Sequence, residues 1–281
     1  MLKTLIASFA VFLLMLSCGG SEHGASGMMS GVDTLYADSI EMLAKDDTLE
    51  LFEEEVLPES ADELFDDFFF NYASDANFRK SRTLYGGQVA ADGVHADSIG
   101  LDGAFRELTV KDFYAVIYER EDELAFQKDT SLTEVVAERI NLDSGVVEQF
   151  MFKRNNGMWT MCEVANTSIY DTPNADFMEF YSSFSADTVE CFNSVAKPLR
   201  LVMSADDSDE EEVVELELSE WAEISSDMPL PSHEVINVNY GQTCISNNNK
   251  LLLVVGISNG LSLRYRFMKQ GGRWMLVEVV I

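Results

Sequence analysis

The sequence predicts an α+β protein of two tandem repeats, each with N-terminal helices packed on a curved antiparallel sheet, and three observations carry that prediction. A word is written twice: Phe150-Met-Phe-Lys-Arg-Asn-Asn-Gly-Met-Trp-Thr-Met-Cys-Glu-Val164 returns as Tyr265-Arg-Phe-Met-Lys-Gln-Gly-Gly-Arg-Trp-Met-Leu-Val-Glu-Val279. Phe152/Phe267, Gly157/Gly272, Trp159/Trp274, Glu163/Glu278 and Val164/Val279 lie 115 positions apart, as do Phe65/Phe180 and Phe69/Phe184. A repeat this long is a whole domain rather than a solenoid unit. Aromatic residues at helical spacing open both copies, and runs with strand periodicity follow them.

Taken from the N-terminus, residues 1–17 read as a signal peptide: Lys3 is basic, Leu5 to Leu16 is apolar, and small residues surround Cys18. The apolar run is shorter than the roughly 20 residues a membrane-spanning helix needs. Met15-Leu16-Ser17-Cys18 resembles the lipobox of bacterial lipoproteins, which implies acylation of Cys18 and a mature chain held on a membrane by two or three acyl chains. Residues 18–59 are a glycine-rich tether followed by an acidic segment with spaced apolar residues. Ser60 and Glu63 form a capping-box pattern, so the first repeat runs 60–166. Leu64, Phe65, Phe68, Phe69 and Tyr72 form its helix face, and further helical turns are expected over 77–83. Strand-like stretches follow at 108–110, 113–118, 135–142, 146–153 and 158–164, with Asn156-Gly157 as a hairpin turn. The second repeat, 174–281, opens on Phe177, Phe180, Tyr181 and Phe184, and helical turns are expected again over 189–196. Its strands are expected at 199–203, 213–221, 235–240, 251–257 and 261–267, with Gly271-Gly272 turning the last hairpin.

Composition narrows the function classes. The chain has 19 basic and 49 acidic residues, a formal charge of −30. Removal of Lys3 with the signal leaves 18 against 49, or −31. Such a field repels nucleic acid and anionic lipid, so neither is an expected partner. Cys162, Cys191 and Cys244 remain beside the lipidated Cys18. A bridge between Cys162 and Cys191 and three buried thiols are both compatible with the spacing. No CxxC or Cys/His pattern points to zinc, no cofactor motif is present, and Asp206 to Glu212 lacks the glycine and distal glutamate of a calcium loop. That acidic run reads as a solvated hairpin tip.

Helices on one face of a curved antiparallel sheet, closed by Phe-x4-Gly-x-Trp-x-Leu/Met-x-Glu-Val, resemble the nuclear-transport-factor-2-like (NTF2-like) fold, a cystatin-like cone. Two copies behind a lipobox resemble a family of bacterial lipoproteins built from two such domains. The resemblance covers Asp62 to Ile281 and implies a cone whose mouth can admit a small ligand. It implies no reaction, because this fold hosts isomerases, dehydratases and assembly modules alike.

Strict alternation would place Trp159, Met161 and Glu163 on one strand face and Trp274, Leu276 and Glu278 on the matching one. With Phe65 and Phe180 these tryptophans and glutamates are the candidate pocket residues, or else simply core. The three histidines do not recur between copies: His23 lies in the tether, His95 beside Asp97, and His233 before Glu234. No catalytic residue is assigned. Arg264 and Arg266 form a small basic stripe near Lys269 and Arg273, suited to a carboxylate or to the acidic segment before Ser60.

The leading expectation is an envelope lipoprotein, exported and anchored on the outer membrane, that binds a small apolar ligand or another envelope protein without catalysis. The first rival is an isomerase- or hydratase-type enzyme, which needs a buried Asp, Glu or His with a partner inside one cone. The second is a structural assembly module with filled cones.

Overall fold

Two hairpin turns anchor the register of the fold, and both are dictated locally. Asn156 and Gly157 adopt φ of 49° and 79°, and Gly271 and Gly272 adopt 57° and 82°. Positive φ at both central positions gives the turn whose twist matches that of the flanking strands, and asparagine and glycine are the residues that tolerate it. In the computed structural model, which describes residues 62–84, 107–110, 112–204, 211–244, 247–257 and 259–281, these turns join β3 (Val146–Asn155) to β4 (Met158–Ser168) and β9 (Ser262–Gln270) to β10 (Arg273–Val280). Cys18, the signal peptide, the tether and acidic segment, Ser60, His23, His95 and most of the Asp206 run lie outside the described residues.

Helix α1 (Phe65–Ser74) is followed by α2 (Ala76–Ser81), whose N-cap Asp75 accepts bonds from the amides of Asn77 and Phe78. Then come β1 (Phe113–Tyr118), a 3-10 helix (Glu121–Lys128), β2 (Glu134–Asn141), β3 and β4. After a 3-10 turn (Ile169–Asp171), α3 (Ala175–Ala186) is followed by α4 (Thr188–Asn193), capped in the same way by Asp187. The chain continues through β5 (Val195–Ser204), β6 (Glu211–Leu216), α5 (Leu218–Ile224), β7 (Glu234–Asn239), β8 (Asn249–Gly256), β9 and β10.

Two elements depart from expectation. Residues 213–221 do not form one strand: β6 ends at Leu216 and Trp221 sits buried on α5. The cause is a capping box, in which the Glu220 carboxylate accepts from the Glu217 amide at 2.9 Å and starts a helix there. Residues 108–110 form no strand and are unpaired in the sheet.

All ten strands form one curved, unclosed sheet in the order β4-β3-β2-β7-β1-β8-β9-β10-β5-β6. The described residues therefore share one sheet rather than two separate ones. At its centre β7 pairs with β2 and β1 pairs with β8, both antiparallel, so each half lends one strand, β1 or β7, to the other. Strands β1 and β7 meet in parallel at Ala115 and Asn237. There the Asn237 side chain accepts from the Ile117 amide at 3.1 Å, supplying a bond that the short parallel ladder lacks.

Alternation then separates two cores. Tyr114, Val116 and Tyr118 of β1 and Ile236 and Val238 of β7 join the cluster under α1, with Phe65, Phe68 and Phe69. The intervening Ala115, Ile117 and Val235 are equally buried and point to the other face. On that side Phe177 and Tyr181 of α3 pack on Phe267.

Candidate functional site

The tryptophans, candidates for either pocket or core, lie buried in the two cores. Trp159 is fully buried edge-on to Phe65, with ring centres 5.0 Å apart, and Trp274 stands likewise against Phe177 at 5.3 Å. Each helix therefore presents its first aromatic to the hairpin tryptophan, which makes Phe177 the counterpart of Phe65. The 115-residue pairing of Phe65 with Phe180 and of Phe69 with Phe184 does not hold in space. The half-buried Phe180 instead matches Phe68, each at 6.3 Å from its tryptophan. In the helices the offset is 112 positions, and in the closing strands it is 115.

Glu163 and Glu278 also leave the predicted faces. The β3–β4 ladder shifts between Met151 and Phe152, and the β10 ladder shifts between Leu276 and Glu278. Each shift is a bulge that inserts one residue and reverses the alternation beyond it. Glu163 consequently pairs with Met151, and Glu278 pairs with Arg266, away from Trp274 and Leu276.

Turned to the other face, Glu278 organises a groove of about 460 Å³ over β9, β10, β5 and β6. It accepts from Arg266 Nε at 3.0 Å and pairs with an Arg200 guanidinium nitrogen at 2.8 Å. Arg266 also reaches Glu121. Arg264, half-buried in the same wall, has no carboxylate partner among the described residues. The predicted basic stripe is thus real at Arg264 and Arg266. Lys269 leaves it for Asp176, at 2.7 Å, and stacks over Trp274. Glu121, Glu211 and Glu278 line the groove together with the three arginines; a planar guanidinium fork such as that of Arg264 is suited to a carboxylate and holds its charge at any physiological pH.

Two polar clusters lie within the cores, and the sequence reading named neither. Under α1, Asp66 accepts from the Tyr240 hydroxyl and from Gln127 Nε2 at 3.0 Å. Burial pushes the Asp66 carboxyl up to about 6, against the opposing pull of its hydrogen bonds from Tyr240, Gln127 and Tyr114. The phenols of Tyr114 and Tyr240 are pushed up as well, first by burial and then by the Asp66 charge, so both remain donors.

On the opposite face Lys250 opens the apolar run of β8, 1% exposed, with Nζ 2.9 Å from Glu119 Oε1 and 2.7 Å from Cys244 Sγ. The thiol in turn lies 3.0 Å from the same carboxylate oxygen. Burial raises the Cys244 thiol; Lys250 pulls it down and Glu119 pushes it up again. Beside them Glu138 accepts from Asn237 at 2.8 Å and from Gln149 at 3.0 Å. Between the two groups is a cavity of about 30 Å³, room for roughly one water. One signal in the sequence pointed here: a lysine heading Leu251-Leu-Leu-Val-Val255, a run with no exposed side to put it on.

His233 is exposed and faces Asp143 at 3.2 Å, not Glu234, with no hydroxyl or thiol nucleophile in the pairing. Cys162, Cys191 and Cys244 are free thiols. No group of three metal-ligating side chains occurs among the described residues, and no described helix is long and apolar enough to cross a membrane.

Comparison with known proteins agrees with this architecture. The profile of a family described as a domain of unknown function (DUF4348) matches residues 44–280, and the chain belongs to that family. The fold is similar to that of an NTF2-like protein from Bacteroides fragilis NCTC 9343 solved by crystallography. That protein is 29% identical, with a TM-score of 0.65 over 79% of this chain and 97% of the other. No curated protein matches.

Proposed function

We propose that this member of the DUF4348 family is an exported envelope lipoprotein, anchored through Cys18, that binds a carboxylate-bearing ligand or protein partner in its outer groove without catalysing a reaction. The observation that carries the binding reading is the groove of about 460 Å³ holding Arg200, Arg264 and Arg266 in a chain of net charge −30. Glu121, Glu211 and Glu278 line the same groove, and Glu121 and Glu278 take up Arg200 and Arg266, so Arg264, without a carboxylate partner among the described residues, is the guanidinium left to meet an anion. Both cores are packed with aromatic side chains, which favours a surface site over an interior one. We also infer that the two halves descend from one duplicated unit. Equal spacing of β2 and β8, β3 and β9, and β4 and β10 supports this, as do matched caps at Asp75 and Asp187.

The binding reading is tested by thermal unfolding against a panel of di- and tricarboxylates and acidic peptides. A ligand at a hundredfold excess over its Kd adds about 2.7 kcal/mol, which raises Tm by roughly 5–10 °C for a chain this size. Arg264→Ala should abolish that rise and leave the ligand-free Tm in place. A panel without any shift in the unmutated protein refutes the reading.

A second reading, an isomerase-type enzyme, is favoured by Asp66 alone: a buried carboxyl near 6 with two tyrosine donors is suited to moving a proton. The rings of Phe65, Phe69 and Tyr114 occupy the adjacent space, so this reading also needs the core to open.

A further inference from the structure

The β7–β8 connection brings together three reactive groups that the binding reading does not use. Lys250 is held inside the sheet, Cys244 lies six positions before it, half-buried at the rim of the small cavity, and Glu119 touches both. The 2.7 Å between Nζ and Sγ is an ordinary separation for nitrogen and oxygen, but it is short for an amine against the larger sulfur atom. It is the span that a single intervening oxygen would set. We propose that Cys244 and Lys250 form a modification site, in which a hydroperoxide joins Cys244 Sγ to Lys250 Nζ through one oxygen atom.

The groups present account for each step. Glu119 Oε1, 3.0 Å from Sγ, accepts the thiol proton. The thiolate attacks one oxygen of the peroxide, the O–O bond breaks, and water leaves, giving the sulfenic acid that begins the cysteine oxidation ladder. The Lys250 ammonium gives up one proton to solvent, and the sulfenic oxygen then bonds to the neutral nitrogen. That step releases two electrons and two protons, counted from the neutral amine, and a second peroxide takes them up to become two waters. The balance is one thiol, one amine and two hydrogen peroxides giving one N–O–S bridge and three waters. Burial of Lys250 favours the step twice over, since it fixes the amine against the sulfur and keeps competing thiols away. The bridge would tie Cys244 covalently to Lys250 on β8 and remove the ammonium charge beside Glu119, so the site reports oxidation by changing the charge in one core.

The test uses the full chain, purified under reductant, exposed to hydrogen peroxide and read by peptide mass spectrometry, because the methionines also take up oxygen. The expected product joins Cys244 to Lys250 with a gain of one oxygen less two hydrogens, about 14 Da. Trypsin should no longer cut after Lys250, and dithiothreitol should restore both mass and cleavage. Lys250→Arg keeps a cation beside Glu119 and should lose the product, as should Cys244→Ser; if the arginine variant does not fold, restored cleavage after Lys250 in Cys244→Ser carries the same information. Gains of whole oxygens on Cys244, alike in the unmutated chain and in Lys250→Arg, overturn the proposal. So does a loss of two hydrogens without oxygen, a sulfenamide, or a gain of about 14 Da that dithiothreitol leaves intact, a sulfinamide whose oxygen lies outside the bridge.

Discussion

Asp66 and Glu119 are acids in the interiors of opposite faces of one sheet, and they are kept there by different means. Asp66 is met by neutral donors, Tyr240 and Gln127, and its carboxyl is raised to about 6. Glu119 is met by the ammonium of Lys250 at 2.9 Å. The contrast is one of solvation: hydroxyls and amides repay only part of the hydration a carboxylate loses, whereas a cation at contact distance repays more of it. The first face therefore carries a carboxyl that responds to pH, and the second carries an ion pair whose stability depends on both partners.

The sharpest way to break this comparison is Lys250→Met, which leaves Glu119 in the core without its counter-charge. Urea unfolding should show a loss of about 3–5 kcal/mol. Changing Glu119 and Lys250 together to apolar residues should restore most of it; if the double variant is as unstable as the single, the pairing is not what holds Glu119 there.

Asp66 should show itself next, through pH. Its carboxyl titrates near 3.8 in the unfolded chain and near 6 in the fold, so between those values the folded state binds the extra proton. Stability must then fall as pH rises through that window, by about 3 kcal/mol, and level off above it. Asp66→Asn, which stays neutral, should flatten that part of the profile. A profile unchanged by the substitution removes Asp66 as its source.

A smaller effect tests whether the two halves are equivalent where they look alike. Asp75→Ala and Asp187→Ala each remove a side-chain cap bonded to two amides, and each should lower stability by about 1 kcal/mol in chemical denaturation. A cost confined to one half would mean that the matched caps do unequal work. The smallest expected change is that of Arg264→Ala, within about 0.5 kcal/mol of the parent, because its guanidinium has no carboxylate partner among the described residues. A large loss would make Arg264 structural and weaken the binding reading.

Much of the fold was legible in the sequence wherever the cause is local. The hairpin turns follow from Asn156-Gly157 and Gly271-Gly272, and the helix faces follow from aromatic spacing. The strand from Phe113 to Tyr118 was placed to the residue, because its apolar run is bounded by polar residues. The candidate pocket was less legible. Trp159 and Trp274 lie in the cores, one of the two places open to them, and the alternation rule failed a few residues later, at Glu163 and Glu278. A bulge depends on the partner strand, which the rule does not see. The matching of Phe65 with Phe180 failed for a related reason: equal spacing in the chain survives only where no residues are gained or lost between helix and strand.

The sequence by itself determined that the chain is α+β, that two stretches of it carry the same hairpin, and that aromatic helix faces must be buried. These are consequences of periodicity, turn geometry and hydrophobicity, each readable within a few residues. Only the tertiary structure decided that the halves exchange β1 and β7, that Glu278 gathers arginines into an outer groove, and that Asp66 faces tyrosines while Glu119 faces Lys250. Those outcomes depend on which distant segment lies alongside, with Lys250 and Glu119 separated by 131 positions. The side-chain chemistry is written in the chain, and its partners are assigned by packing.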